Sequence, residues 1–247
     1  MAEAARLLRA FHLQSDQITE LTDLPDTLPA RGFIWVGISR HALEVSNADL
    51  QLPSHFDYTS WYDLMVFRRL SAARNDTTAQ AGAQRLSLGS IDTNPVGFAV
   101  FDRVLITVHP VDCLVREHFA QRFAQFGQVV DPRGGSRLPT SPADLMLRMI
   151  NHVVDGYLEL RRQLTRQLGM LQEELLNSHS HFSNWQMLLE SRNMLHVLED
   201  ICEDQRSAIQ EWIDSLDEWP KPPDSAGVRE QELPRARSLD LLEHIGR

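Results

Sequence analysis

Residues 142–176 read PADLMLRMINHVVDGYLELRRQLTRQLGMLQEELL, and the fold turns on how they are read. Met146, Ile150, Val153, Tyr157, Leu160, Leu164, Leu168, Leu171 and Leu175 recur at spacings of three and four, the period of one helix face. Ser141 can cap this helix, Pro142 suits its first position, and Asp144 complements the positive N-terminal dipole. The stripe ends at Asn177–Phe182 (NSHSHF). A second start follows at Ser183-Asn184-Trp185-Gln186, which has the capping-box form. Leu188, Leu195, Cys202, Ile209 and Leu216 then fall every seven residues, with Trp185, Leu198 and Trp212 or Ile213 alongside. Two long helices with a short connection predict an antiparallel hairpin over residues 140–218.

Toward the N-terminus the texture changes. Gly32–Ile38, Leu64–Phe67, Gly97–Phe101 and Val104–Val108 are rich in β-branched and aromatic residues and read as strands. Only Asp102 and Arg103 separate the last two, which predicts a tight hairpin. Helices are expected near Ala42–Leu50 and from Asp112 to Phe126, and a polar loop over Ala72–Leu88. Pro132–Pro139 (PRGGSRLP) has the composition of a linker. Residues 1–135 therefore predict a mixed sheet flanked by helices. Toward the C-terminus, Trp219–Pro234 reads as a Pro-rich connection, and an amphipathic piece with Leu239, Leu242 and Ile245 begins at Arg235. The expected fold class is α/β (α+β): a mixed sheet, a long helical hairpin, and over 235–247 the start of a further helix.

Composition removes several functions. The chain has 247 residues with 24 Lys+Arg against 34 Asp+Glu, a net charge of −10, which speaks against a nucleic-acid partner. Residues 1–140 carry 15 acids and 13 bases, whereas residues 141–247 carry 19 acids and 11 bases. Two cysteines, Cys113 and Cys202, make no disulfide framework and fit a reducing compartment. No apolar run approaches the length of a membrane span, and no secretory signal opens the chain, so a soluble intracellular polypeptide is expected. Walker, GxGxxG, GxSxG and HExxH motifs are missing, so the expectation is no enzyme.

Two groupings remain. Glu199, Asp200, Glu203, Asp204, Glu211, Asp214, Asp217 and Glu218 crowd the second long helix with only Arg206 among them. Such a face is ordinarily just solvated, but its mutual repulsion would be relieved by a hard cation or a basic surface. Asp240, Glu243 and His244 stand at i, i+3 and i+4 and share one helix face, as on many a helix surface. His179 and His181 lie in a polar turn without a third ligand spaced to help them.

The succession of elements, with the VVDGY segment (Val153–Tyr157), the helix pair and the DLLEH segment (Asp240–His244), resembles the cytoplasmic portion of the CorA family of magnesium/cobalt channels. The family's Gly-Met-Asn signature and its two membrane helices are not in this sequence, so the resemblance implies a fragment of a longer channel, with a complete soluble relative as the alternative. It implies a homopentamer on the cytoplasmic side of the inner (plasma) membrane, joined to it through C-terminal helices, with residues 235–247 opening the stalk. It also implies a regulatory Mg2+ between neighbouring subunits, with Co2+ or Zn2+ as alternatives. By resemblance Asp240 faces that metal, Glu243 and His244 match the acid and histidine one turn along, and Asp49 is the neighbouring subunit's carboxylate. Ala48 and Asn151 stand where family members often carry further acids, and Leu52–Asp57 (LPSHFD) replaces an RPKxE-type segment, with Asp57 in the place of its glutamate. The alternatives are a ZntB-like zinc transporter domain and a standalone helical-hairpin adaptor.

Overall fold

A computed structural model of the chain describes residues 7–40, 52–71, 91–110, 113–126, 138–176, 185–218 and 225–247. The helix expected at Ala42–Leu50, the loop at Ala72–Leu88 and the break at Asn177–Phe182 lie outside these residues. Seven strands are described: β1 (Leu8–Leu13), β2 (Ile18–Leu21), β3 (Phe33–Ser39), β4 (His55–Tyr58), β5 (Asp63–Leu70), β6 (Thr93–Val100) and β7 (Val104–His109). They form one mixed sheet in the order β2-β1-β3-β7-β6-β5-β4. Only β3 and β7, at its centre, run parallel. Four helices follow: α1 (Leu114–Ala124), α2 (Pro142–Leu176), α3 (Trp185–Glu218) and α4 (Ser225–Ile245).

The β-branched runs form the four central strands they predict, and Phe101 N–H closes the β6–β7 turn on Val104 O at 2.9 Å. Strands β1, β2 and β4 were not expected. In β1, Arg9 and His12 interrupt the apolar run, yet Phe11 and Leu13 are fully buried. Phe11 stacks on Trp35 at 5.4 Å, and Phe123 of α1 meets both rings edge-on. Gly32 admits the chain into β3 with φ of +74°; a Cβ there would fall 2.1 Å from Leu13 O.

One sheet face is covered by α2 and α3, and the apolar core runs without a break from Trp35 and Phe67 through Met146 and Ile150 to Trp212. The helices are also fastened to the sheet by hydrogen bonds. β4 pairs with β5 no further than His55↔Val66, which leaves the backbone of Arg68 beyond that ladder. Ser54 Oγ accepts its N–H at 3.0 Å, while Tyr157 Oη of α2 and Gln205 Nε2 of α3 donate to its carbonyl at 3.0 and 3.1 Å. This joint sets the rotation of α3. Of the expected Leu188–Leu195–Cys202–Ile209–Leu216 line, the first three residues are half-buried and Ile209 and Leu216 are buried; Leu198 and Trp212, expected alongside it, belong to the buried line with Met194, Ile201, Gln205 and Ala208. Apolar periodicity passed over Gln205 because it is polar. Toward its far end the hairpin leaves Met170, Leu176, Trp185 and Leu189 exposed.

The last helix corrects the sequence reading. It begins at Ser225, not Arg235, and carries Pro234 inside it. An interior proline costs a helix one hydrogen bond and a steric clash. Here a tertiary bond offsets that: Trp212 Nε1, fully buried, donates to Ser238 Oγ at 3.1 Å, while Ser238 bonds back within the helix to Pro234 O at 2.8 Å.

Under the centre of the sheet, a buried polar chain runs from Trp35 Nε1 to Thr107 Oγ1 (2.9 Å), on to His109 Nε2 (2.7 Å), and from His109 Nδ1 to Cys113 Sγ (3.2 Å). Burial, then the charges of Arg116 and Arg69, lowers the His109 pKa from 6.5 to about 3, and burial raises that of Cys113. The pair therefore stays neutral and is no thiolate–imidazolium nucleophile. A depressed histidine stabilises the fold above its unfolded pKa, and this is lost as pH falls from 6.5 toward about 3. The stability difference between the parent and His109→Gln, measured by urea unfolding, should shrink by about 1.4 kcal/mol per pH unit across that window. A difference independent of pH would contradict a neutral buried imidazole.

Candidate functional site

α4 presents the residues that the sequence singled out. Pro234, Ser238, Leu241 and Ile245 form its buried line, so Asp240 and Glu243 point to solvent and His244 lies between. Two contacts tie it to α2: the ion pair of Arg237 Nη1 with Asp144 Oδ1 at 2.7 Å, and the approach of His244 Nε2 to Asp155 Oδ1 at 3.4 Å. Both contacts advance together along the two helices, so α2 and α4 run in the same sense. A third contact, Arg235 with Asp217, ties it to α3. Asp217 of the acidic face thus has a cationic partner that the sequence reading did not give it. Elsewhere on that face Asp214 accepts from Gln210 at 2.9 Å, and Asp204 is pushed up by burial and then by Asp200.

The centre of this arrangement is Asp144, with no exposed surface. Its Oδ2 accepts Thr140 N–H at 3.0 Å, its own N–H goes to Ser141 Oγ at 3.1 Å, and Arg148 Nη2 lies 3.1 Å away in addition to Arg237. The expected helix-start acid is therefore also the clamp between α2 and α4.

Between α1, α2 and α4 opens a cleft of about 540 Å³. Asn151 and Asp240, matched by resemblance to two metal-site positions, both line it, and so do Arg122, Arg148 and Arg237. His118 of α1 stacks on His152 of α2 with centroids 4.5 Å apart and planes inclined by 12°. Burial, followed by the neighbouring His118, lowers the pKa of His152. The sequence reading missed this basic lining. Its signal was the i, i+4 pairing of His118 with Arg122 and of Arg148 with His152, visible only once α1 and α2 are known to face each other.

Each C-terminal candidate ligand already has an ionic neighbour. Arg237 feels the charge of Asp240 after those of Asp144 and Arg148; Glu243 is held by Arg247 at 2.8 Å, which lowers its pKa; His244 has Asp155. Among the described residues no group of three or more His, Cys, Asp or Glu is arranged to hold a metal ion. Asp49, Ala48, His179 and His181 lie outside the described residues, and the structure neither joins Asp49 to Asp240 nor separates them. Asp57 is exposed on β4, where its carboxylate accepts Tyr58 N–H at 2.8 Å. Among the described residues no helix is long and apolar enough to cross a membrane.

The model of the family of CorA-like Mg2+ transporter proteins matches residues 53–234. No curated protein matches the sequence. Among solved structures, the soluble domain of CorA from Methanocaldococcus jannaschii is similar at a TM-score of 0.60 and 14% identity, covering 97% of this chain and 90% of that one. Full-length CmaX aligns at 0.55 and 13% identity, over 97% of this chain and 72% of the other. The ZntB cytoplasmic domain from Vibrio parahaemolyticus RIMD 2210633 aligns at 0.53 and 14%, over 97% and 91%. At such identities the likeness is one of fold.

The clamp makes a direct prediction. Asp144→Ala leaves two guanidinium groups facing a buried, uncompensated position, and should cost about 3–5 kcal/mol in urea unfolding. Arg247→Ala, at an exposed pair, should cost less than about 1 kcal/mol. Comparable losses for the two would show that Asp144 is not a clamp.

Proposed function

The chain belongs to the family of CorA-like Mg2+ transporter proteins, and from that premise we propose that it is the cytoplasmic domain of a divalent-cation transporter whose Asp240 helps to hold a regulatory cation between subunits. The observation that carries this reading is the position of Asp240: an exposed carboxylate on a helix whose other face is locked to α2 and α3. A rigid helix offers its carboxylate outward at a fixed place, where a second copy of the chain can supply the rest of the ligand set. Asp49 is our candidate for that contribution, and a homo-oligomer, pentameric as in the family resemblance, is the corresponding assembly.

The donor set fits a hard cation. Mg2+ keeps most of its waters and is held by one or two carboxylates, so one acid from each side of an interface suffices. Arg237 beside Asp240, and Asn151 where an acid would add charge, both weaken the attraction. A weak site suits a sensor: cation binding favours the assembled arrangement by mass action only when the ion is abundant. On this reading loss of the cation frees the subunits, and the membrane helices of the complete transporter carry the ion path. Co2+ is the other ion transported in this proposal.

One observation favours zinc as a second reading. His244 Nε2, 3.4 Å from Asp155, offers an imidazole beside a carboxylate, a pair that suits Zn2+ far better than Mg2+. Sedimentation of the chain with and without millimolar Mg2+ tests the first reading. Mg2+ should promote association of the parent and should not promote that of Asp240→Ala or Asp49→Ala. Association that ignores Mg2+ in the parent defeats the assignment. Association driven by micromolar Zn2+ and abolished by His244→Ala would establish the second.

A further inference from the structure

We propose that the cleft between α1, α2 and α4 binds a small phosphate-bearing molecule with a flat ring, of the nucleoside phosphate class, without requiring a divalent cation. Its volume, about 540 Å³, is that of an organic ligand and far exceeds what a lone oxyanion fills. Its lining is divided. Arg122 and Arg148 come from facing helices and Arg237 from the third, while Phe126, Leu138 and Pro139 supply an apolar wall.

Guanidinium groups recognise phosphate oxygens through paired, charge-assisted hydrogen bonds. Two of the three are already ordered, because Asp144 holds Arg148 and Arg237 from beneath with no solvent exposure of its own. Asp144 engages Arg237 through Nη1, and a guanidinium carries five donors, so the clamp does not exhaust it. Preorganised donors spare a ligand the cost of ordering them. The stacked imidazoles of His118 and His152 also line the cleft, and Asn151 can both donate to and accept from a hydroxyl or a base edge. Of the acids lining the cleft, Asp155 is engaged by His244 and Asp240 is exposed. The same three guanidinium groups oppose a bare divalent cation within the cleft.

Calorimetry on the full chain without divalent cations, with adenosine diphosphate as the probe, tests this. Adenosine diphosphate should bind saturably, and at least about tenfold more tightly than inorganic phosphate or adenosine alone, since neither part spans both linings. Arg122→Gln, at an exposed position, should weaken it about tenfold, whereas Arg247→Gln, exposed and outside the cleft, should bind with the parent's affinity. No saturable binding, phosphate binding as tight as the diphosphate, or full affinity in Arg122→Gln would each overturn the proposal. Because the assay contains no divalent cation, its failure would leave the metal reading standing, and Mg2+-independent association would leave this one standing.

Discussion

A single buried carboxylate constrains the functional half of the molecule. Asp144 has no exposed surface and is met by two arginines, so removing either leaves a buried polar group short of a partner. Arg237 is on α4 and three residues before Asp240. Fixing the one fixes the azimuth of the other, and with it which residues of α4 face solvent and which face the cleft. Buried ion pairs are poor sources of net stability, because desolvation offsets most of the attraction. Their value is directional: an apolar seat would let α4 rotate or slide, and a paired charge does not.

The second constraint is a carbonyl. Arg68 O, left over where β4 stops, takes donors from α2 and α3 at once. Two polar side chains in the apolar stripes of two different helices converge on one backbone atom, and each would be costly to bury without it. The helices therefore have one register against the sheet, not a family of slipped ones. With α2 and α3 registered, Trp212 and Ser238 place α4, and the Asp144 clamp completes the set.

Legibility in the sequence followed the physics of each element. Strands β3, β5, β6 and β7 and helix α2 are buried along continuous or periodic apolar runs, which a single sequence displays directly. β1 breaks its apolar run with Arg9 and His12, which masks the fully buried Phe11 and Leu13, and β2 and β4 are too short to show any alternation. α3 was legible over its second half, where Ile209, Trp212 and Leu216 are buried, while Gln205 on its inward line was not, being polar. α4 was cut short because local rules weigh Pro234 heavily, whereas the bond that anchors the helix beside it comes from Trp212 on another helix. The clamp and the basic cleft were invisible for the same reason: Asp144 reads as a good helix start, and nothing local says that Arg237 will reach it.

These constraints bear on how a cation could be sensed here. A carboxylate that faces only water attracts Mg2+ weakly, and a neighbouring guanidinium weakens it further, within a screening length of about 8–10 Å. Asp240 has such a neighbour built into its own helix turn, and Asn151 in the same cleft adds no charge of its own. On the reading proposed above, cation binding would then depend chiefly on what a second subunit brings. Occupancy and assembly are in that case one equilibrium: neither can change without the other, and a rigid α4 is what lets the coupling act on geometry instead of being absorbed by a flexible helix.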